Sequence, residues 1–282
     1  MKKKLEVNEQ TIRRFEKKMR QEEREPSTIE MYLRIVRNFG VWADGRIINK
    51  ETALEWKTAL TGQGYCPSTI NSMLAAVNKF FVCMGFGTYK VRYLRLQRRI
   101  FSTPGRELTK QEYSTLVDTA YRVGNERLGL LMETICATGI RVSEVKYITV
   151  EAARKGIAEV ALKGKIRTIL LSNKLCRKLL KYAGKQKIAS GEIFITRSGK
   201  GLSRKFIWAE MKRLGQEAGI AGSKLFPHNL RHLFARTFYQ VSRDVVKLAN
   251  VLGHASVETT RIYLMTTGKE YARQLNRMRL VL

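Results

Sequence analysis

The feature that most restricts the fold of this chain is a helical spacing of apolar residues that recurs along most of its length. The clearest example follows Pro67 and comprises Ile70, Met73, Leu74, Val77 and Phe81. This spacing places a continuous apolar face along one side of an α-helix. Similar patterns surround Phe15, Leu33 and Trp56, so we predict four helices in the first hundred residues.

The segment Pro-Ser-Thr-Ile occurs twice, from Pro26 and from Pro67, at the predicted starts of two of these helices. Behind Pro26, Ser27 and Glu30 have the spacing of a capping box, in which each side chain bonds to the other residue's backbone N–H. The second helix is therefore expected to open with a capping box at Ser27.

One segment in the second half of the chain departs from the helical pattern. Apolar residues on both sides of a Lys163-Gly164-Lys165 turn predict a β-hairpin over about 157–171. The segment Ile193-Phe194-Ile195 is compatible with a further short strand. The predicted fold class is therefore mainly α (α+β): an N-terminal helical domain and a mostly helical second domain with a small antiparallel sheet.

Residues 89–106 divide the chain, because they are irregular and basic and end near Pro104 and Gly105. We therefore expect a helical domain at 1–88, a basic interdomain linker at 89–106 and a second domain at 107–282. An exposed linker of this composition could also wrap a duplex.

The charge balance points to a polyanionic partner. Lys and Arg number 53 against 24 Asp and Glu, which gives a formal net charge of +29. Two stretches contain no acidic residue, one between Glu55 and Glu107 and one between Glu159 and Glu192. Both are candidate phosphate-facing surfaces, and nucleic acid is the first candidate partner.

Other classes of protein are disfavoured. The four cysteines form no CxxC pair, so we expect reduced thiols without disulfides or zinc. No phosphate-binding loop or acidic metal cluster is apparent, which predicts no cofactor and no metal. Glu6 and Glu9 interrupt any signal peptide, and no apolar run approaches the ~18 residues of a membrane span, so a cytoplasmic protein is expected.

The three histidines of the chain lie in its last quarter. His228 and Arg231 are three residues apart on a predicted helix and therefore point to the same side. Gly253 ends the next helix and places His254 just beyond its C-cap. Tyr263 follows nine residues after His254. Each of these signals is weak alone. They become specific when the four sequence segments that carry motif residues are considered together.

Those segments are ATGIRVSE at 137–144, PHNLRHLFA at 227–235, LGHAS at 252–256 and TTRIYL at 259–264. In order, spacing and local structure they resemble the tyrosine recombinase, or phage integrase, family. The resemblance runs from about Leu108 to Leu264, and the N-terminal helices resemble the family's core-binding domain more loosely. The two-domain organisation is similar to that of Xer-type recombinases.

The resemblance implies a set of catalytic residues, with Tyr263 as the nucleophile. Five positions match family motifs directly: Arg141, His228, Arg231, His254 and Tyr263. The family also implies a lysine on the hairpin, commonly in KGxKxR, whereas this chain has one residue fewer between Lys163 and Arg167. Lys163 is our choice, and Lys165 remains the alternative.

Strand cleavage by a tyrosine requires these types of residue. Arg141 and Arg231 can stabilise charge on the non-bridging oxygens of a phosphodiester, and His254 can add a donor. A tyrosine hydroxyl ordinarily titrates near ~10, so His228 is the plausible base for its proton. Lys163 would protonate the leaving 5′ oxygen as general acid. The implied 3′-phosphotyrosyl product keeps the bond energy, so rejoining needs neither ATP nor a metal.

The implied partners are double-stranded DNA and further copies of the chain, as a dimer to tetramer on DNA, with no membrane and with any accessory DNA-bending protein unknown. The implied location is the nucleoid. A type IB topoisomerase and a catalytically silent DNA-binding regulator are the alternatives. Glu144 could orient Arg141 or simply pair with it, and His232 is expected to support the site or pack in the core, and not to react. A C-terminal stripe, Tyr271, Leu275, Met278 and Leu282, could pack in cis or on a neighbouring copy.

Overall fold

A computed structural model describes residues 4–96, 105–162, 165–254, 256–264 and 276–278. The chain divides into two compact units, Met1–Arg98 and Arg99–Leu282. Helices dominate the described residues, and a two-stranded antiparallel sheet lies in the second unit. The mainly helical fold class with a small sheet is therefore confirmed. None of the described helices is long and apolar enough to span a bilayer.

The first unit consists of four helices around an aromatic core. They are α1 (Glu9–Gln21), α2 (Pro26–Ala43), α3 (Lys50–Gly62) and α4 (Pro67–Met84), followed by a 3-10 turn at Gly87–Tyr89. Phe15, Phe39, Phe80 and Phe81 are fully buried, and Phe15 meets Phe80 edge to face at 5.5 Å between ring centroids. The helical spacing in the sequence therefore identified the buried faces of these helices.

The start of α2 differs from the expected capping box. The helix begins at Pro26, and its N-cap residue Glu25 makes no side-chain capping bond. Proline suits the first helical position because its φ is already helical and its missing N–H would have had no partner there. Ser27 consequently lies inside the first turn, so the capping-box prediction was wrong.

The start of the segment assigned to the linker is tied to α4. Asn78 exchanges two hydrogen bonds with the backbone of Val91, at 2.9 and 3.0 Å. About two turns earlier on the same face of α4, Asn71 does the same with Leu94, at 2.9 and 2.8 Å. Residues up to Leu94 thus belong to the packing of the first unit, and residues 97–104 lie outside the described ones.

The second unit carries all of the motif segments. Its elements are α5 (Lys110–Arg122), α6 (Glu126–Thr138), a 3-10 turn (Val142–Tyr147), α7 (Val150–Lys155), β1 (Ile157–Leu162), β2 (Lys165–Leu170), α8 (Asn173–Lys185), α9 (Arg204–Glu217), a 3-10 turn (Gly222–Lys224), α10 (Pro227–Ser242), α11 (Val245–Leu252), α12 (Val257–Arg261) and a 3-10 turn (Ile262–Leu264). Helix α10 packs against α6, α9 and α11. Its motif residues are therefore surrounded by the other motif segments.

The hairpin forms as predicted, with β1 and β2 antiparallel and Leu162 paired with Lys165. Lys165 is thus the first residue of β2 and not part of the turn. The two residues between the strands, 163 and 164, lie outside the described residues. Along β2, Ile166 and Leu170 are exposed and Ile169 is buried, as expected for a strand with one face on the core.

Residues 193–195 do not form a strand. Their neighbourhood has only single bridges, Thr149 with Glu192 and Ile195 with Gly201. Ile193 and Phe194 are buried, so their apolar character reflects core packing and not strand pairing. The predicted C-terminal stripe lies outside the described residues except at 276–278.

Candidate active site

The first turns of helix α10 carry two motif side chains of the site, those of His228 and Arg231. Pro227 occupies its first position, which places His228 in the first turn, with its ring partly desolvated but still accessible, and Arg231 one turn deeper. Arg231 is 1% exposed and is among the largest fully buried side chains of the protein. A buried guanidinium needs several acceptors to offset the loss of its hydration.

Arg231 connects the motif segments to one another. Its Nη1 donates to the carbonyl of Gly139, and its Nη2 donates to the carbonyl of Leu252 at 2.8 Å. Its Nε lies 3.4 Å from the hydroxyl of Tyr263. Burial lowers the pKa of this guanidinium and the bond to Tyr263 raises it, while Arg141 lowers it further. No carboxylate among the described residues forms an ion pair with Arg231, so its charge can act on a bound anion.

Arg141 lines one cleft together with His228 and Arg231. Gly139 ends α6 in the left-handed conformation, at φ 66°, and the chain then enters the 3-10 turn that follows Arg141. The buried Glu144 accepts from the backbone N–H of Arg141 and from its Nη1, both at 2.8 Å. Glu144 therefore orients Arg141 as well as pairing with it, and the Arg141 side chain remains 42% exposed.

His254 follows the left-handed C-cap Gly253 and is fixed from both ring nitrogens. Its Nε2 lies 3.0 Å from Nη2 of Arg231, and its Nδ1 lies 2.8 Å from the hydroxyl of Thr260. Arginine only donates, so Nε2 must accept and Nδ1 carries the proton. Burial, followed by Arg231, lowers the pKa of His254 to about 4, so the ring is neutral.

Tyr263 is buried among all three histidines of the chain. Its ring centroid lies 4.4 Å from that of His232, 5.6 Å from His254 and 5.7 Å from His228. Burial lowers the pKa of His228, and it lowers the pKa of His232 to about 4. Each ring is thus biased toward the neutral form, which can accept a proton. His232, expected only to support the site, is the nearest ring to Tyr263.

The structure brings together five of the six predicted site residues. Lys163, the sixth, lies outside the described residues, and only the backbone of its alternative Lys165 is placed, in β2. The sequence did not single out two further residues at the site, Thr260 and Arg167. Thr260 carries no distinctive spacing. Arg167 had two signals, its match to the arginine of the KGxKxR pattern and its charge at an inward position of a strand.

A cationic cleft opens beside these residues. Arg141, His228 and Arg231 line it together with Arg204 and Lys205 from the start of α9. Four guanidinium or ammonium groups around one cleft favour an anionic ligand. No cluster of His, Cys, Asp or Glu suited to a metal ion occurs in the described parts of the chain.

Comparisons with known proteins agree with this arrangement. Tyrosine recombinase XerA of Pyrococcus furiosus is 28% identical over 98% of this chain and 96% of that protein. Tyrosine recombinase XerD of Brucella melitensis is 30% identical over 72% of this chain and 74% of that protein. A crystal structure of a lambda integrase dimer bound to a COC′ core site superposes with a TM-score of 0.72, at 18% identity, over 92% of this chain and 77% of that chain.

The model of the phage integrase family matches residues 106–270, more than half of the chain. This range contains all four motif segments and every side chain described at the cleft. The chain is therefore a tyrosine recombinase of the phage integrase family.

Proposed function

We propose that this recombinase cleaves and rejoins double-stranded DNA through a 3′-phosphotyrosyl bond to Tyr263. One observation carries the proposal: the Tyr263 hydroxyl lies 3.4 Å from Nε of Arg231 at a cleft lined by further cations. The hydroxyl proposed as nucleophile and a charge that can stabilise the transition state are thus adjacent in the folded chain.

In the proposed reaction, the Tyr263 oxygen forms a bond to phosphorus and the bond from phosphorus to the 5′ oxygen breaks. His228 accepts the phenolic proton, and Lys163 supplies a proton to the leaving 5′ oxygen. Arg141 and Arg231 bind the non-bridging oxygens, where negative charge increases. Rejoining reverses these steps, with a 5′ hydroxyl as nucleophile and Tyr263 as leaving group.

His254 requires a rearrangement to take part. Its Nε2 accepts a bond from Arg231, so it has no proton there to offer a phosphate. We propose that phosphate binding draws Nη2 of Arg231 away from His254. The phosphate would then offset the positive charge of Arg231 beside His254. The His254 imidazole could therefore take up a proton and donate to the same phosphate.

The proposed partners follow from charge and from the relatives. A net charge of +29 suits the phosphate backbone, and the lambda integrase structure is that of a dimer on DNA. We propose that this chain also assembles on its DNA site, as a dimer to tetramer, and that it acts at the nucleoid.

The proposed function is tested with a DNA site that carries a nick close to the cleavage position. After cleavage, the short fragment between the cleavage position and the nick dissociates, so the strand cannot be rejoined. We expect a covalent adduct that survives denaturation, and we expect peptide mapping to place the nucleotide on Tyr263. The full chain is used without metal or nucleotide. An adduct on another residue, or none on any DNA selected for tight binding, would contradict the proposal.

The pH dependence of cleavage tests the role of His228. Burial holds the pKa of His228 below its ordinary value of 6.5. A base acts in its neutral form, so lowering its pKa extends activity toward acid. The value of kcat/KM, which reports on the free enzyme, should stay level down to about pH 6.5 and fall only below it.

His228→Gln is the comparison for this profile. It cannot accept the proton at any pH, so we expect a slower reaction that lacks the acid limb. An acid limb centred above pH ~7 in the unsubstituted chain would contradict a neutral His228 base.

A further inference from the structure

Arg167 is a charged residue at an inward position of β2. Its neighbours Ile166 and Thr168 point outward, whereas Arg167 and Ile169 face the interior. The Arg167 side chain is only 13% exposed. Burial lowers the pKa of its guanidinium, and Glu144 acts in the opposite direction. This position would ordinarily hold an apolar residue.

The contacts of Arg167 lead directly to the two motif arginines. Its Nη1 donates to the carbonyl of Leu252 at 2.6 Å and lies 3.6 Å from Oε2 of Glu144. The same Leu252 carbonyl accepts from Arg231 at 2.8 Å, and Glu144 also binds Arg141 at 2.8 Å. Arg167 therefore holds an acceptor of each arginine.

Stability alone gives a poor account of Arg167. Its Nε and Nη2 are buried without a hydrogen-bond partner among the described residues. Unpaired buried donors are costly, and an apolar side chain of similar volume would avoid that cost. Gly253 leaves space for this arrangement, because a Cβ at that position would collide with Cδ of Arg167.

We propose that Arg167 is a positioning residue for strand cleavage. By holding Glu144 and the Leu252 carbonyl, it fixes Arg141 and Arg231 relative to each other around the phosphate. It also fastens β2 to the acceptors of this arginine pair. The inference rests on the proposed function, and it assigns Arg167 no contact with the DNA.

The test compares two substrates in single-turnover cleavage. One has an ordinary phosphate at the cleavage position, and the other has a methylphosphonate, which lacks one negative charge and depends less on the two arginines. Arg167→Met should slow cleavage of the phosphate about 10²-fold, a loss comparable to that of one stabilising donor. Cleavage of the methylphosphonate should slow by less than about tenfold, because its charge needs less precise placement of the arginines.

Arg236 provides the matched control. It also bonds a carboxylate, Glu107, and a backbone carbonyl, that of Leu108 at 2.8 Å, and its Nε is likewise buried without a partner among the described residues. Neither Glu107 nor Leu108 holds a motif arginine. Arg236→Met should therefore change both cleavage rates by the same factor, whatever it does to the melting temperature.

Arg167→Lys is a second variant that keeps the inference testable if Arg167→Met does not fold. It keeps the charge and the aliphatic stem but cannot bond two acceptors with one planar group, so the same selective loss should appear in weaker form. Equal slowing of both substrates, or no slowing, in the Arg167 variants would overturn this inference alone. Failure of the unsubstituted chain to form any adduct would overturn the proposed function and this inference together.

Discussion

Tyr263→Phe is expected to abolish the covalent DNA adduct while leaving non-covalent DNA binding within about threefold of the unsubstituted chain. The change removes only the hydroxyl that would attack phosphorus. The ring is 6% exposed and packed against three histidines, contacts that phenylalanine keeps. Among the described residues, the hydroxyl makes one hydrogen bond, the 3.4 Å contact from Nε of Arg231, and the variant loses it.

Adduct formation and DNA affinity are measured on the same nicked site. Tyr239→Phe is the control, because Tyr239 lies on α10 and packs partly buried beside the same small core as Tyr263. It should form the adduct at close to the normal rate. An adduct that persists in Tyr263→Phe would move the nucleophile elsewhere, with Tyr271 and Tyr239 as the next candidates.

The sequence predicted the local positions of the site residues well, since these depend on short-range rules. Helical spacing put His228 and Arg231 on one side of α10, and a glycine C-cap placed His254 just past α11. Family resemblance added Arg141 and Tyr263. These rules act over a few residues, and so they locate each side chain along its own element without giving its distance from the others.

Contacts between different helices and strands could not be predicted from the sequence. Nothing in the spacing shows that Arg231 donates to the carbonyl of Gly139, 92 residues earlier in the chain. Thr260 is one of several hydroxyl residues near Tyr263, and only the folded chain brings it to Nδ1 of His254. Backbone acceptors and single hydroxyls carry no pattern, because almost any residue can supply them.

The environment of Glu144 is a further feature that the sequence could not predict, and it concerns electrostatics. Its spacing from Arg141 left two interpretations open: Glu144 could orient that arginine, or it could form an ordinary i, i+3 pair, which at a surface contributes little. The structure buries Glu144 to 1% exposure and places Arg167 on its other side at 3.6 Å. One carboxylate between two guanidiniums leaves an excess of positive charge, and that excess suits the phosphate of a DNA strand.

Lys163→Ala is expected to slow strand cleavage about 10²–10⁴-fold, with DNA binding preserved. The variant would leave the departing 5′ oxygen without its proton donor, and an alkoxide is a poor leaving group. The prediction rests on the alignment of a hairpin that has one residue fewer than the common family pattern. The register pairs Leu162 with Lys165, and Lys163 itself lies outside the described residues.

A 5′-bridging sulfur at the cleavage position separates the two lysines, because a thiolate leaves without protonation. Lys163→Ala should recover most of its cleavage rate on this DNA. Arg141→Ala should stay slow, since its charge acts on the non-bridging oxygens, which the sulfur leaves unchanged. Lys165→Ala, the control on the first residue of β2, should be mildly impaired on both substrates. Rescue of Lys165→Ala instead would assign the acid to Lys165, and rescue of neither variant would exclude both lysines as the acid.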